Sequence, residues 1–359
     1  MIIDRKFLKG VTGIGSLPYK DPETALDLIK KNMGEFPHWP QLPQRGPQEG
    51  FVEQFAATLK IYHLVEERQG KLCFRNASNE WPELLTNFYE AYLLASEGNE
   101  QALDTFGFQE GSMVGFWALE ELIKSGEIHP QIVKGQLSGP ITVGFQVKDN
   151  EGKAAYYDPQ LRDIVVKTIE MQASWQAKRL SSLGLPVLIH IDDPGIYAYG
   201  TSTHVTLERQ DIQDDLNVVF SALQRNGSMA GLHCCAGTDW SIVLESKADV
   251  LSFDAFAYFE SVTAYTKEIQ EFLNKGKALA WGIVPTNPQI FDWSLKRLYD
   301  LLEEKIEILT QKGIDGTSLR SQCIITPSCG TGLLETEVAE TIYEYINQLS
   351  TLWEKHWKG

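Results

Sequence analysis

The stretch DPQLRDIVVKTIEMQASWQAKRLSSLGLPVLIHID, residues 158–192, shows the pattern that decides the fold. Residues 158–184 have the periodicity of an amphipathic helix. The run PVLIHID, residues 186–192, follows directly and has the apolar, β-branched composition of a buried strand. A long helix followed by a short buried strand is one unit of a parallel sheet covered by helices.

The same alternation continues along the chain and predicts eight strands: GVTGIGSL (10–17), KLCFRNA (71–77), IVKGQLSG (132–139), PVLIHID (186–192), SMAGLHC (228–234), ADVLSFD (248–254), KALAWGI (277–283) and QCIITPS (322–328). Eight strands with helices between them predict an α/β protein with a single (β/α)8 barrel (TIM barrel) over residues 1–359. Residues 32–70 and 79–130 are too long for simple connections. We interpret these two insertions as a loop and extra helices that cap the barrel.

Composition limits the possible partners. A chain of 359 residues with 43% hydrophobic residues can bury a large core, and its net charge of −16 argues against binding to nucleic acid or anionic lipid. No apolar run approaches the roughly 20 residues of a membrane helix. Five cysteines and an N-terminus unlike a signal peptide favour a cytoplasmic location, where cysteines serve chemistry rather than disulfides. A small molecule or another protein remains as the expected partner.

Polar and reactive side chains follow the predicted strands at the points where the strands end. In a barrel of this type the carboxyl ends of the strands converge on one mouth, where active sites are built. Residues far apart in sequence are therefore expected to meet there. The candidates are Gly15, Ser16, Asp192, Asp193, His233, Cys235, Asp254 and Cys329.

The stretch GLHCCAGTDW, residues 231–240, contains a possible metal site. Because side chains alternate along a strand, His233 and Cys235 are expected on one side and Cys234 on the other. The imidazole and the thiolates of Cys235 and Cys329 suit zinc, and a carboxylate from Asp254 could complete a tetrahedron. The alternative is a core histidine among buried thiols.

Five short motifs together resemble a known family. GIGSLP (13–18), LSGPIT (137–142), HIDDP (190–194), HCC before ADVLSFD, and PSCG (327–330) occur in the order found in the catalytic C-terminal barrel of cobalamin-independent methionine synthase. That family belongs to the superfamily that also contains uroporphyrinogen decarboxylase. The resemblance implies a zinc-dependent methyltransferase that methylates the thiol of homocysteine. It makes His233, Cys235 and Cys329 the catalytic zinc ligands and places Asp254 where the family has a glutamate.

The resemblance also implies contacts to the amino acid end of the substrate. Ser16, with its neighbours Ile14 and Gly15, would bind the carboxylate of homocysteine. Asp192 or Asp193 would bind the ammonium group. Since Asp-Pro pairs commonly form turns, one of these two aspartates is expected to be structural instead.

Departures from the family pattern change the expected methyl donor. The match covers the second of the family's two barrels, no tryptophan follows GPIT, and the loop at residues 282–290 contains no histidine to protonate a folate nitrogen. The prediction is therefore methylcobalamin or a methylated corrinoid protein as donor, rather than methyltetrahydrofolate. Three alternatives stay open: a corrinoid-dependent methyltransferase for another small thiol, a metal-free decarboxylase like that of uroporphyrinogen, and a non-catalytic zinc- or thiol-binding protein.

Overall fold

The computed structural model describes residues 8–109, 111–202 and 206–356, and it shows a parallel sheet that curves into a barrel. Its strands, numbered along the chain, are β1 Gly10–Val11, β2 Val65–Arg68, β3 Lys71–Phe74, β4 Val133–Ser138, β5 Val187–Asp192, β6 Met229–Cys234, β7 Val250–Phe253, β8 Ala278–Val284 and β9 Cys323–Pro327. Seven of these pair in the order β1-β9-β8-β7-β6-β5-β4, and all six pairings are parallel.

Residues 37–41, here called the closing segment, fill the gap between β1 and β4. On one side the Lys134 amide donates to the Pro37 carbonyl at 2.8 Å. On the other side the Gln41 amide donates to the Gly15 carbonyl at 3.0 Å, and the Leu17 amide donates to the Gln41 carbonyl at 2.9 Å. Both contacts are parallel bridges. The closing segment completes the predicted TIM-barrel architecture.

Two of the predicted barrel strands, at residues 71–77 and 10–17, differ from the structure. The predicted barrel strand at 71–77 is instead β3, which pairs with β2 in a separate antiparallel hairpin. Its turn residues, Gln69 and Gly70, both have positive φ, which matches the twist of a tight hairpin. The place in the barrel is taken by the closing segment, so residues 32–70 are more than a loop. The predicted strand at 10–17 is regular only at Gly10–Val11.

Helices cover the outside of the barrel: α1 Pro22–Met33, α2 Ala57–Ile61, α3 Trp81–Ser96, α4 Glu100–Asp104, α5 Val114–Lys124, α6 Pro140–Gln146, α7 Pro159–Ser181, α8 Arg209–Arg225, α9 Ser241–Leu244, α10 Thr266–Asn274, α11 Leu295–Gln311, α12 Gly316–Ser321 and α13 Thr336–His356. The longest, α7, begins where Asp158 accepts hydrogen bonds from the amides of Gln160 and Leu161. In the described ranges, no helix has the length and apolar character needed to cross a membrane.

The inside of the barrel changes from apolar to polar along its axis. An inner cluster, separate from the main core, is formed by Leu8, Phe36, Ile132, Leu188, Met229, Val250, Ala278, Ala280 and Ile324. Two positions further along four of the strands, the inward residues are Lys134, His190, Ser252 and Thr326, all fully buried. The same alternation leads from Met229 through Gly231 to His233. Polar side chains therefore fill the interior toward the mouth.

Candidate metal centre at the barrel mouth

Three potential metal ligands meet at the mouth of the barrel. A ring nitrogen of His233 and the sulfur atoms of Cys235 and Cys329 all lie within 4.8 Å of one another. His233 is on β6, Cys235 directly follows that strand, and Cys329 is two residues beyond β9. The convergence of strand ends thus brings Cys329 next to two residues that lie 94 and 96 positions earlier in the chain, the juxtaposition expected from the sequence.

The two ring nitrogens of His233 have different environments. Nδ1 lies 2.9 Å from the Ser252 hydroxyl oxygen. Nε2 is buried and has no hydrogen-bond partner in the described part of the chain. A buried polar atom without a partner is costly, and the two sulfur atoms beside this one favour a ligand at this place. With Nδ1 engaged by Ser252, Nε2 is the nitrogen that remains to face the two sulfur atoms.

The two thiols of the group interact directly. The hydrogen bond from the Cys329 thiol and the nearby His233 ring lower the pKa of Cys235. Donation to Cys235, together with burial, raises the pKa of Cys329. Of the two sulfur atoms, that of Cys235 is therefore the one that favours the thiolate form. Deprotonated cysteine is the form that binds metals.

Cys234 faces the opposite way from its neighbours, as strand alternation predicts. It belongs to the core between strands and helices, and its thiol donates to the Ala236 carbonyl at 3.5 Å. Burial raises its pKa to about 12. Cys234 therefore remains a neutral core thiol.

Asp254, the predicted fourth ligand, lies outside the group of three. Its carboxylate accepts a hydrogen bond of 2.7 Å from the Ala257 amide. Burial is the main reason why the pKa of Asp254 is raised, and Cys235 adds to the effect. Asp254 is thus close enough to influence the group electrostatically while it shapes the loop after β7.

The two adjacent aspartates after β5 differ in their bonding. Asp193 accepts hydrogen bonds from the amides of Ile141 and Thr142 and from the Thr142 hydroxyl, at 3.0, 2.8 and 2.6 Å. These bonds use both of its oxygens and fix the start of α6. Asp192 keeps one buried oxygen, Oδ1, without a hydrogen-bond partner among the described residues. Asp192 is consequently the aspartate that can still accept a bond from a ligand.

Ser16, predicted to bind substrate, lies beside the loop that carries Cys329. The Gly332 amide donates to the Ser16 hydroxyl at 3.1 Å, and the Thr331 amide donates to its carbonyl at 3.0 Å. A Cβ at Gly330 would come within 2.3 Å of the Ser16 hydroxyl oxygen. Ser16 therefore contacts the turn next to Cys329.

Ile14 and Gly15 serve the wall of the barrel. The Ile14 carbonyl accepts a hydrogen bond from the buried Lys134 ammonium, and the Gly15 carbonyl accepts one from the Gln41 amide. A Cβ at Gly15 would lie 2.7 Å from the Gln41 side chain. Both residues act through the backbone and hold β1 against the closing segment.

The sequence prediction missed two residues that influence this site. Lys134 is a fully buried lysine, and burial lowers its pKa while the charge of Asp192 opposes that effect. Ser252 holds the ring of His233. A lysine inside a predicted strand, here one whose six residues are all buried, is a signal that could have identified the first. Serine at an inward strand position is too common to identify the second.

The donor set fits zinc. An imidazole nitrogen and two thiolates are ligands that zinc prefers, and Nε2 of His233 supplies the unsatisfied atom that a metal site requires. Three protein ligands leave one tetrahedral position for an exchangeable group, which is typical of catalytic zinc.

Comparison with known proteins gives no family for this chain. No protein-family model matches it, and no curated protein matches it. Among solved structures it is similar to a GH113 beta-mannanase from Alicyclobacillus acidocaldarius in complex with ManMIm, at 10% sequence identity. The match covers 67% of this chain and 78% of the mannanase, with a TM-score of 0.36. A likeness at that level assigns no activity to this chain.

These findings correct the functional interpretation of the sequence motifs. No family model and no curated protein matches this chain, so the identification with the methionine synthase family is withdrawn. The predicted homocysteine methyltransferase activity and the alternatives stated with it depended on that identification and are withdrawn with it. The corrinoid donor was inferred only for that reaction, so it is not carried further. The barrel fold remains, and so does the group of three potential metal ligands.

Proposed function

We propose that this chain is a zinc enzyme whose metal is held by His233, Cys235 and Cys329 at the mouth of the barrel. One observation carries the proposal: a ring nitrogen of the buried His233 and the sulfur atoms of Cys235 and Cys329 lie within 4.8 Å of one another, and Nε2 of that ring has no hydrogen-bond partner among the described residues. The two neighbouring thiols distinguish this nitrogen from those of His190, a buried barrel histidine whose ring nitrogens also lack partners in the described ranges.

The open coordination position supports catalysis rather than a structural role. Structural zinc sites fill all four positions with protein ligands, whereas catalytic sites keep one for a water or substrate. Zinc bound there would act as a Lewis acid and lower the pKa of the exchangeable ligand. At the same mouth, Asp192 has a buried oxygen without a hydrogen-bond partner among the described residues, and Ser16 offers a hydroxyl beside the turn of Cys329. We expect these two side chains to bind polar groups of the substrate.

The cysteines also support the location expected from the sequence. All five, Cys73, Cys234, Cys235, Cys323 and Cys329, are unpaired. Free thiols are maintained in reducing compartments. A cytoplasmic location is part of this proposal.

Metal analysis of purified protein and variants tests the zinc proposal. The protein is expected to carry about one zinc ion per chain, the number for a single site. Cys235→Ser and Cys329→Ser should lose it, whereas the matched neighbour Cys234→Ala should retain it because Cys234 faces the outer core. Asp254→Ala is expected to weaken binding less than either thiolate replacement. Zinc loss from Cys234→Ala with retention in Cys235→Ser would contradict the ligand assignment.

Cobalt substitution tests the open position. Co²⁺ in a site with two thiolates has an absorption spectrum that reports its ligands, and azide serves as a probe ligand. Azide should change the spectrum of the cobalt-loaded protein if one position is exchangeable. A spectrum unchanged at saturating azide would indicate a closed, structural site and would remove the enzyme part of the proposal.

A further inference from the structure

Ser252 is the side chain that touches His233 on the side away from the thiols. It lies on β7, where it pairs in register with His233 on β6, and it is fully buried. Its hydroxyl oxygen is 2.9 Å from Nδ1 of the imidazole. Register pairing on adjacent strands thus places this hydroxyl next to the ring by backbone geometry alone.

A histidine can bind a metal only through a nitrogen that carries no proton. In neutral imidazole one nitrogen bears the proton and the other has a free lone pair. If Nδ1 carries the proton and donates it to the Ser252 oxygen, Nε2 presents its lone pair toward Cys235 and Cys329. Groups that accept this second hydrogen bond orient metal-binding histidines, and their removal typically costs 10–100-fold in metal affinity.

We propose that Ser252 is a positioning residue that fixes the ring of His233 with Nε2 facing the two cysteine sulfurs. The expected effect on zinc affinity rests on the proposed zinc site. The hydrogen bond between Ser252 and His233 does not require a metal. The hydrogen bond that links Ser252 to this site goes to the His233 ring, so Ser252 acts through His233.

The chain offers a matched control inside the same barrel. Thr326 is also fully buried at an inward position, and its hydroxyl has no hydrogen-bond partner within the described ranges. Ser252→Ala and Thr326→Val each remove one buried hydroxyl. Only the first removes a bond to His233.

Zinc affinity, measured by competition with a chelator, is the first readout. Ser252→Ala is expected to bind zinc about 10–100-fold more weakly than the unmodified protein. Thr326→Val should bind zinc as the unmodified protein does, and Ser252→Thr, which keeps the hydroxyl, should restore most of the affinity. Equal affinities for the unmodified protein and Ser252→Ala would overturn the proposal.

The second readout needs no metal. In metal-free protein labelled with ¹⁵N-histidine, the Nδ1 resonance of His233 should move in Ser252→Ala and stay unchanged in Thr326→Val. An unchanged Nδ1 resonance in Ser252→Ala would overturn the inference even if zinc binds. Conversely, a protein that binds no zinc but shows the shift would refute the zinc site and leave the positioning contact intact.

Discussion

Cys234 and Cys235 are neighbours in sequence with opposite environments. Cys234 packs in the outer core, where burial raises its pKa to about 12. Cys235 lies inside the mouth, where the hydrogen bond from Cys329 lowers its pKa. The thiolate is the reactive form of cysteine. Two adjacent positions of the chain therefore carry an inert thiol, Cys234, and a nucleophilic one, Cys235.

This contrast predicts an order of alkylation in the metal-free protein. At neutral pH, iodoacetamide should modify Cys235 first, while Cys234 and Cys323 stay protected because burial raises both of their pKa values. Zinc should slow the reaction at Cys235 by occupying its sulfur. Mass spectrometry of peptides from timed samples measures each rate. Modification of Cys234 or Cys323 as fast as Cys235 would contradict the account.

Asp193 gives a second prediction at the level of single residues. Asp193→Asn should destabilise the protein by about 1–3 kcal/mol, because a buried group that accepts three hydrogen bonds loses an acceptor oxygen. Zinc content should not change, since Asp193 holds α6 rather than a ligand. Urea unfolding measures the effect, with the exposed Asp27→Asn as control. A variant with unchanged stability but impaired zinc or ligand binding would reverse this assignment.

At the level of elements, the closing segment is the part of the barrel that the sequence pattern does not predict. Its residues, PHWPQ, include two prolines, which cannot donate to a strand ladder, and it pairs through single bridges on each side. Trp39 anchors it by donating to the Gln176 side chain of α7 at 3.1 Å. Tertiary contacts, rather than local propensity, place these residues in the barrel.

Hydrogen exchange tests the closure of the barrel. The Gln41 amide, bonded to the Gly15 carbonyl and lying in a buried residue, should exchange slowly, as strand amides do. The amide of Gly70 in the exposed hairpin turn should exchange fast and serves as the internal reference. Exchange at Gln41 as fast as at Gly70 would show that the barrel is open between β1 and β4.

The remaining strands were predictable because their burial is continuous. Five predicted strands, from IVKGQLSG to KALAWGI, overlap β4 to β8, and QCIITPS overlaps β9, with ends that differ by no more than two residues. Long apolar runs flanked by helices leave few other assignments. The segment KLCFRNA has the same local character but lies outside the barrel, since a short strand can pair in either setting.

For the whole molecule, the sequence located the site better than it identified the function. Strand alternation and the convergence of strand ends correctly brought together His233, Cys235 and Cys329. Family membership could not be inferred in the same way. Gly-containing turns and polar residues at strand ends follow from the geometry of any barrel mouth, so short motifs there describe the scaffold more than the reaction.

X-ray absorption at the zinc edge of the zinc-loaded protein identifies the atoms bound to the metal. We expect two sulfur ligands at about 2.3 Å and nitrogen or oxygen ligands at about 2.0–2.1 Å. Cys329→Ser should reduce the sulfur count from two to one or abolish binding, and Cys234→Ala should leave the spectrum unchanged. A protein that binds no zinc, or a zinc shell without sulfur, would contradict the account.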